Sequence, residues 1–580
     1  MKCKLKSLAL AIGLAIFTVI KASEAANAAD YFVRTLPGLP DSLYLKSHAG
    51  HILIDEKSES NIFFWLMHNL HIADNAKLII WLNGGPGCSS MDGVFLETGP
   101  FRVNKDQTLR PFYGSWNEYA NVLYVDQPVG TGFSFTNQNS YVNNLTQVPQ
   151  QFLLFLDKFF EIFPEYSQDD IYLAGESFAG TYIPYIADGI LKRNGGLPDN
   201  RKYNLRGLVI GNGWIDPITQ YRSYYDFAIA NNLLNGDYKK LAESQLTKCY
   251  ESLKKKITIK NEECEQILGI ILQNSRKRVG KVDTCINQYD IRDHSDSYPS
   301  CGLNWPYELE TVYDYLHRPD VIKDLHATKK KELWVECSSI VGQGFDGDHS
   351  PPSITLFPEI LKQIKILLFS GDQDIICNYM GTEAMINNLE WNGNKGFQNN
   401  TKLLWYVNNT LAGHIVAERN LTYVKIFNAS HMVPYDVPLV SMDMVYRFMG
   451  LDHHIVNKFP SKIESEELDD SNNDSDPEHV DNDEILNNYY DAGTTTLIIV
   501  IIGVLGLVAF IFRGKIMEKI RRNTKQGMRV NTEETNEMEN FVIETQLSDD
   551  LDHFGDSDGE GDDAQKLNNH QEKYHDEEKS

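Results

Sequence analysis

The chain has 580 residues, a net charge of −26 and an apolar fraction of 42% that includes 29 Tyr and 27 Phe. That is long enough for one enlarged α/β core with appendages, and too apolar for a disordered chain. Residues 461–491 hold 12 acids and one base (−11), and residues 513–580 hold 18 acids and 10 bases (−8); the excess describes mainly a solvated stalk and tail, so it neither marks a cationic substrate nor leaves a basic surface for nucleic acid.

At the start, Lys2, Lys4 and Lys6 precede an apolar run from Leu8 to Ile20 and small residues around Ala26 and Ala28. That order predicts a cleaved signal peptide over residues 1–28. Six short apolar runs follow, at 77–85, 120–128, 170–177, 205–213, 364–372 and 421–430, each ending in Gly, Asp, Asn, Ser or Pro. Near-continuous apolar strands of this kind predict a sheet covered on both faces, hence an α/β class for a domain over residues 30–459. Between 214 and 347 the chain becomes charged and helical and carries Cys249, Cys264, Cys285, Cys301 and Cys337, which predicts an insertion or cap laid over that sheet. The segment 246–266 has the charge patterning of a helix.

Residues 494–512 contain 19 residues without a charge, close to the length that spans a bilayer, and predict a transmembrane helix. Arg513, Lys515, Lys519, Arg521 and Arg522 follow it, so residues 513–580 are expected in the cytosol and the large domain in the lumen. The glycosylation signals agree with that side: Asn144, Asn399, Asn408, Asn420, Asn428 and Asn473 each begin N-x-[ST], and none lies beyond the span. Asn428 is the least favoured, three residues before a histidine that matters below. Once Cys3 leaves with the signal peptide, seven cysteines remain in an oxidising lumen, which favours three bridges and one free thiol.

The chemistry begins at GESFAG, residues 175–180, which follows the run IYLA and precedes a helix-compatible segment. A serine between small residues at a strand-to-helix turn is a nucleophile elbow, although Ala179 stands where the strict G-x-S-x-G pattern has its last glycine. A serine hydroxyl near neutral pH needs a base, itself oriented by a carboxylate. The ends of the last two runs offer Asp372 or Asp374 and His414 or His431, in the order Ser, Asp, His of α/β hydrolases. A second motif, WLNGGPGCSS at 81–90, also follows an apolar run, and its glycines allow close backbone approach and N–H donors toward an anion.

These two segments, together with GDQDIICNYMG and HMVPYDVP, resemble in sequence and order the signature segments of the serine carboxypeptidase family, over about residues 36–450. The resemblance implies an α/β-hydrolase fold with a mixed central sheet and a helical, disulfide-bearing cap. It implies Ser177 as nucleophile, Asp374 and His431 as its partners in preference to Asp372 and His414, and the N–H groups of Gly85 and Phe178 as an oxyanion hole. It further implies that Asn83, Gly84, Glu97 and Glu176 hold the substrate's terminal carboxylate beside the Trp81 ring. Two ionised glutamates repel a third carboxylate, so at least one must carry a proton. Cys88 with Cys337 matches a family bridge, Cys249 with Cys264 and Cys285 with Cys301 follow from local pairing, and Cys377 matches a buried free thiol near the site.

The anchored architecture, with an acidic stalk and tail, resembles a processing branch of that family that trims C-terminal Lys and Arg in the late Golgi. The expectation is a single-pass type I enzyme of the trans-Golgi network membrane, acting on peptides with basic C-termini without a metal or organic cofactor. Its acidic tail is a candidate ligand for sorting adaptors, for instance around Ser548 and Ser557. Rival readings are a carboxypeptidase of broader specificity, or an esterase or acyltransferase on the same fold. A non-catalytic tethered binding protein is disfavoured by the intact Ser177, Asp374 and His431.

Overall fold

In the computed structural model of the chain, the described residues are 27–465, except 41, 42, 44, 74, 256–258, 400 and 452–459. Nearly all of the expected signal peptide, the stalk beyond residue 465 with Asn473, the expected membrane span at 494–512 and the tail at 513–580 lie outside them. Among the described residues no helix is long and apolar enough to cross a membrane.

Each of the six apolar runs forms a strand, because its side chains alternate between two cores and leave no face for water. The main sheet consists of β1 (Ser47–Asp55), β2 (Ser60–Met67), β3 (Lys77–Leu82), β4 (Asn121–Asp126), β5 (Asp170–Glu176), β6 (Leu205–Gly211), β7 (Lys365–Gly371), β8 (Leu403–Val407), β9 (Thr410–Glu418), β10 (Leu421–Ile426) and β11 (Ser461–Ser465). Its spatial order is β1-β2-β4-β3-β5-β6-β7-β10-β9-β8-β11. The run from β4 to β10 is parallel throughout, and antiparallel strands extend it on both sides. The parallel centre is thus made of the six runs expected from sequence, and the five antiparallel strands are additions.

Alternation is plain in the centre. Leu78, Ile80, Leu82, Leu173, Leu208 and Leu368 face one core, and Ile79, Trp81, Tyr172, Val209, Leu367 and Phe369 face the other. Helices Val148–Ile162 and Ala179–Gly195 cover the first face, and helix Pro438–Met449 the second. A mixed sheet sandwiched in this way, with helices on both faces, is an α/β-hydrolase-type architecture.

The cap is less uniformly helical than its composition suggests. Helices Pro217–Ala230, Gly236–Lys255 and Glu262–Asn274 open it, but a three-stranded sheet of Lys277–Val279, Val282–Cys285 and Asp296–Ser297 follows. The helix-patterned segment 246–266 spans two helices. Asn261 starts the second by accepting from the Cys264 N–H at 3.3 Å, as an N-cap side chain does. The Cys249–Cys264 disulfide then ties the two together, while Cys285–Cys301 closes the small sheet and Cys88–Cys337 joins the cap to the loop after β3. Cys377 is free and buried. Residues 461–465, expected as the start of the stalk, form β11 against β8, with Ile463 packed on the second core.

Candidate active site

Strand β5 ends at Glu176 and helix Ala179–Gly195 starts three residues later, so the chain reverses across Ser177 and Phe178. Ser177 takes up the turn at φ +58°, in the left-handed region where a side chain costs roughly 1–2 kcal/mol. Backbone bonds hold it there: its N–H donates to Gly211 O at 3.1 Å, and its carbonyl accepts from Gly180 N at 2.9 Å and Trp214 N at 2.8 Å. Ser177 lines a cavity of about 520 Å³ together with Gly85, Phe178, Tyr289 and Cys377.

The loop after β3 presses on this elbow. A Cβ on Gly84 would lie 2.5 Å from Phe178 N and 2.8 Å from Ser177 Cβ, so only glycine lets the two backbones meet. Gly85 follows at φ +106° and is joined to Pro86 by a cis peptide. Among the described residues neither the Gly85 nor the Phe178 N–H has an acceptor. Two unspent donors beside a serine hydroxyl are what a developing oxyanion requires.

Asp374 and His431 lie in the turns after β7 and β10, at the same end of the sheet. His431 Nδ1 is 2.7 Å from Asp374 Oδ2, with both side chains buried. Asp374 also accepts from the N–H groups of Ile376 at 2.9 Å and Cys377 at 3.2 Å. With Nδ1–H directed to the carboxylate, Nε2 is left as the base nitrogen. The His431 N–H donates to Tyr289 O at 2.9 Å, and the Tyr289 ring lies 5.1 Å from the imidazole. Asp372 instead accepts from the neighbouring Gln373 side chain. His414 sits in β9, 4.9 Å from the Phe427 ring, and lines a separate cavity with Tyr423 and Lys425.

Behind the elbow lies a buried polar cluster. Asn83 Oδ1 accepts from Trp81 Nε1 at 2.7 Å and from Gly93 N at 3.1 Å, which sets the amide so that Nδ2 reaches Glu97 Oε1 at 3.0 Å and Glu176 Oε1 at 3.3 Å. Glu97 is fully buried, so it is no surface charge. Burial raises the Glu97 carboxyl above its ordinary range. Burial and the neighbouring Glu97 raise Glu176 well above its own. The Oε2 atoms of both have no hydrogen-bond partner among the described residues.

Sequence reasoning passed over several residues here. Asn212, at φ +40° after β6, donates from Nδ2 to the carbonyls of Ser430 (3.0 Å) and His431 (2.6 Å) and accepts from Gly371 N at 2.9 Å. It clamps the turns that carry Asp374 and His431; the signal was a polar residue between two glycines at a strand end. Arg102, buried, donates to the carbonyls of Glu97 (2.5 Å), Gly99 (3.2 Å) and Phe101 (3.0 Å), and burial pushes its pKa down to about 9. Asp92 is buried with Oδ1 unpartnered among the described residues, and burial raises its carboxyl well above the usual range. Of the expected glycosylation sites, Asn399, Asn408, Asn420 and Asn428 are exposed and Asn144 is half-buried.

A family profile for serine carboxypeptidases matches residues 37–450. The pheromone-processing carboxypeptidase KEX1 of Pyricularia oryzae is 48% identical over 460 residues, covering 77% of this chain and 72% of the relative. Its counterpart in Aspergillus fumigatus is 45% identical over 535 residues, covering 87% and 83%. Among solved structures, the prohormone-processing carboxypeptidase KEX1(Δ)P of Saccharomyces cerevisiae is similar with a TM-score of 0.69 at 38% identity, covering 76% of this chain and 99% of that one.

Proposed function

The chain belongs to the serine carboxypeptidase family, and on that premise we propose that it releases C-terminal Lys and Arg from peptide precursors through an acyl-enzyme on Ser177. The observation that carries the exopeptidase reading is the burial of Glu97 and Glu176 together on the Asn83 amide beside the elbow, and we infer that the pair shares a proton. A substrate carboxylate docked there takes the Asn83 amide, the Gly84 N–H and the shared proton, with Trp81 holding Asn83 in place. That docking sets the last peptide bond over Ser177.

His431 Nε2 then takes the Ser177 proton as the hydroxyl attacks the carbonyl, and Asp374 holds the imidazole in its tautomer and stabilises the imidazolium. The Gly85 and Phe178 N–H groups receive the oxyanion. The C–N bond breaks, His431 passes its proton to the leaving amine, and water cleaves the acyl-enzyme by the same route in reverse. Cys377 takes no nucleophilic part, because burial raises its thiol well above the usual range and keeps it neutral.

Processing of pheromone and prohormone precursors by the relatives supports the basic leaving residue. The signal peptide, the apolar run at 494–512 and the basic residues after it support a type I enzyme of the secretory pathway with domain 30–459 in the lumen. We place it in the late Golgi membrane, with the acidic tail as a ligand for sorting adaptors.

The test uses N-blocked peptides ending in Arg, Lys or Leu, each as free acid and as amide, with fluorophosphonate labelling. Release of Arg and Lys ahead of Leu from the free acids, and labelling that disappears in Ser177→Ala, is the expected result. Cleavage inside amidated peptides, or absence of label in the wild type, overturns the reading.

A further inference from the structure

A segment of the cap, residues 287–293, leaves the small sheet after Val282–Cys285 and returns to it at Asp296–Ser297. Its backbone touches both turns that carry the partners of Ser177. The Ile291 N–H donates to Gln373 O at 3.0 Å, beside Asp374, and the Tyr289 carbonyl accepts from the His431 N–H at 2.9 Å. The segment is closed on itself, since the Asn287 N–H donates to Asp293 O at 2.8 Å and the Gln288 N–H to Cys301 O at 3.0 Å. Arg292 adds a side-chain contact to the second turn. Its Nε and Nη2 donate to the two Asp290 carboxylate oxygens, each at 2.7 Å, which fixes the plane of the guanidinium although 39% of the side chain is exposed. From that plane Nη1 donates to the Asn428 carbonyl at 2.7 Å and Nη2 to Asp436 Oδ2 at 3.1 Å. The same Asp436 oxygen accepts from the Ser430 N–H at 2.5 Å. The guanidinium thus holds Asn428 directly and Ser430 through Asp436, just before His431.

Arg292 does not line the cavity at Ser177, so any part it takes in the reaction runs through the turn it holds. His431 serves as base only where Nε2 reaches Ser177 while Nδ1 keeps Asp374, and a displacement of about 1 Å can cost about a hundredfold in rate. Asn212 fixes the carbonyls of Ser430 and His431; the Asn428 carbonyl and the Ser430 N–H are left to the cap and to Asp436. We propose that Arg292 is a positioning residue of the reaction, which anchors the turn before His431 to the cap and so keeps the imidazole aligned between Asp374 and Ser177. The proposal rests on His431 as the base in the carboxypeptidase reading, but not on a preference for a basic leaving residue.

The experiment measures kcat on an N-blocked peptide free acid ending in Arg, for the wild type, Arg292→Gln and Arg292→Lys, and for Arg292→Gln in a His431→Ala background. Thermal melts report whether each variant is folded at the assay temperature. Gln lacks both fork and charge, whereas Lys keeps the charge but cannot serve Asp290, Asp436 and Asn428 in one plane. In Arg292→Gln kcat is expected to fall about tenfold to a hundredfold, with partial recovery in Arg292→Lys. Added to His431→Ala, Arg292→Gln is expected to cause no further fall, because it acts through that imidazole. An unchanged kcat in folded Arg292→Gln overturns the proposal, and so does an equal fall in the His431→Ala background, which marks a role independent of the base. If Arg292→Gln does not fold, Asp436→Asn goes through the same cycle with the same expected and overturning results; it keeps an acceptor for the Ser430 N–H and drops the ion pair. A kcat that His431→Ala leaves at the wild-type level overturns His431 as the base, and the reading on which the proposal rests.

Discussion

Glu176→Gln removes the proton on which carboxylate binding depends while preserving the size of the side chain. Asn83 Nδ2 lies 3.0 Å from Glu97 Oε1 and 3.3 Å from Glu176 Oε1, and both Oε2 atoms lack a hydrogen-bond partner among the described residues. A third carboxylate thus approaches only while one proton lies on the pair. An extra unit charge about 4 Å away costs roughly 4 kcal/mol at an effective dielectric of 20, nearly a thousandfold in affinity. Both carboxyls are raised, so in the wild type the proton is present in acid and lost as pH climbs through the raised range. KM for a free-acid peptide then rises by up to about tenfold per pH unit, while KM for its amide does not. In Glu176→Gln the amide cannot ionise, so the pair carries no more than the single charge of Glu97 however high the pH. The variant is expected to show a KM about tenfold higher in acid, from replacing a charge-assisted bond by a neutral one, and a flattened pH dependence. Steady-state kinetics on matched acid and amide substrates across roughly pH 5 to 8 measure both. A wild-type slope retained in the variant, or the same slope for the amide, refutes the reasoning.

Gly84→Ala brings a methyl within 2.5 Å of Phe178 N and displaces an oxyanion donor; kcat is expected to fall by about 10²–10³, in single-turnover and steady-state assays. Replacing Cys88 and Cys337 by Ser opens a closure of 249 residues, and denaturant titration should record a loss of about 2–5 kcal/mol. His48 Nδ1 and His68 Nε2 lie 2.8 Å apart, with His68 Nδ1 2.9 Å from the Tyr166 hydroxyl, and burial pushes the two pKa values down to about 4 and about 3. Because both fall below the ordinary histidine value, their contribution is complete above about pH 6.5 and is lost as pH falls toward about 4, on the order of 2 kcal/mol per histidine. Thermal melts should show that acid-side loss, reduced in His68→Gln.

The strands that were legible in the sequence are the parallel ones. Runs such as Lys77–Leu82 and Lys365–Gly371 are apolar on both sides because helices cover both faces. The antiparallel strands at the margins escaped notice, since His48, Gly50 and His51 interrupt β1, and β11 lies in an acidic stretch. The elbow was readable because its chemistry is local: a serine between small residues where a strand becomes a helix. The resemblance to a family carried Asp374 and His431 from there. The class, the cysteines and the segment that carries the elbow are therefore legible along the chain. Which acids lose their water and meet is settled by folding. Glu97 and Glu176 are separated along the chain but touch the same Asn83 amide, and Arg292 comes from the cap to the turn that carries His431. The raised carboxyls of Glu97 and Glu176 follow from burial and proximity, which a linear order of residues does not contain.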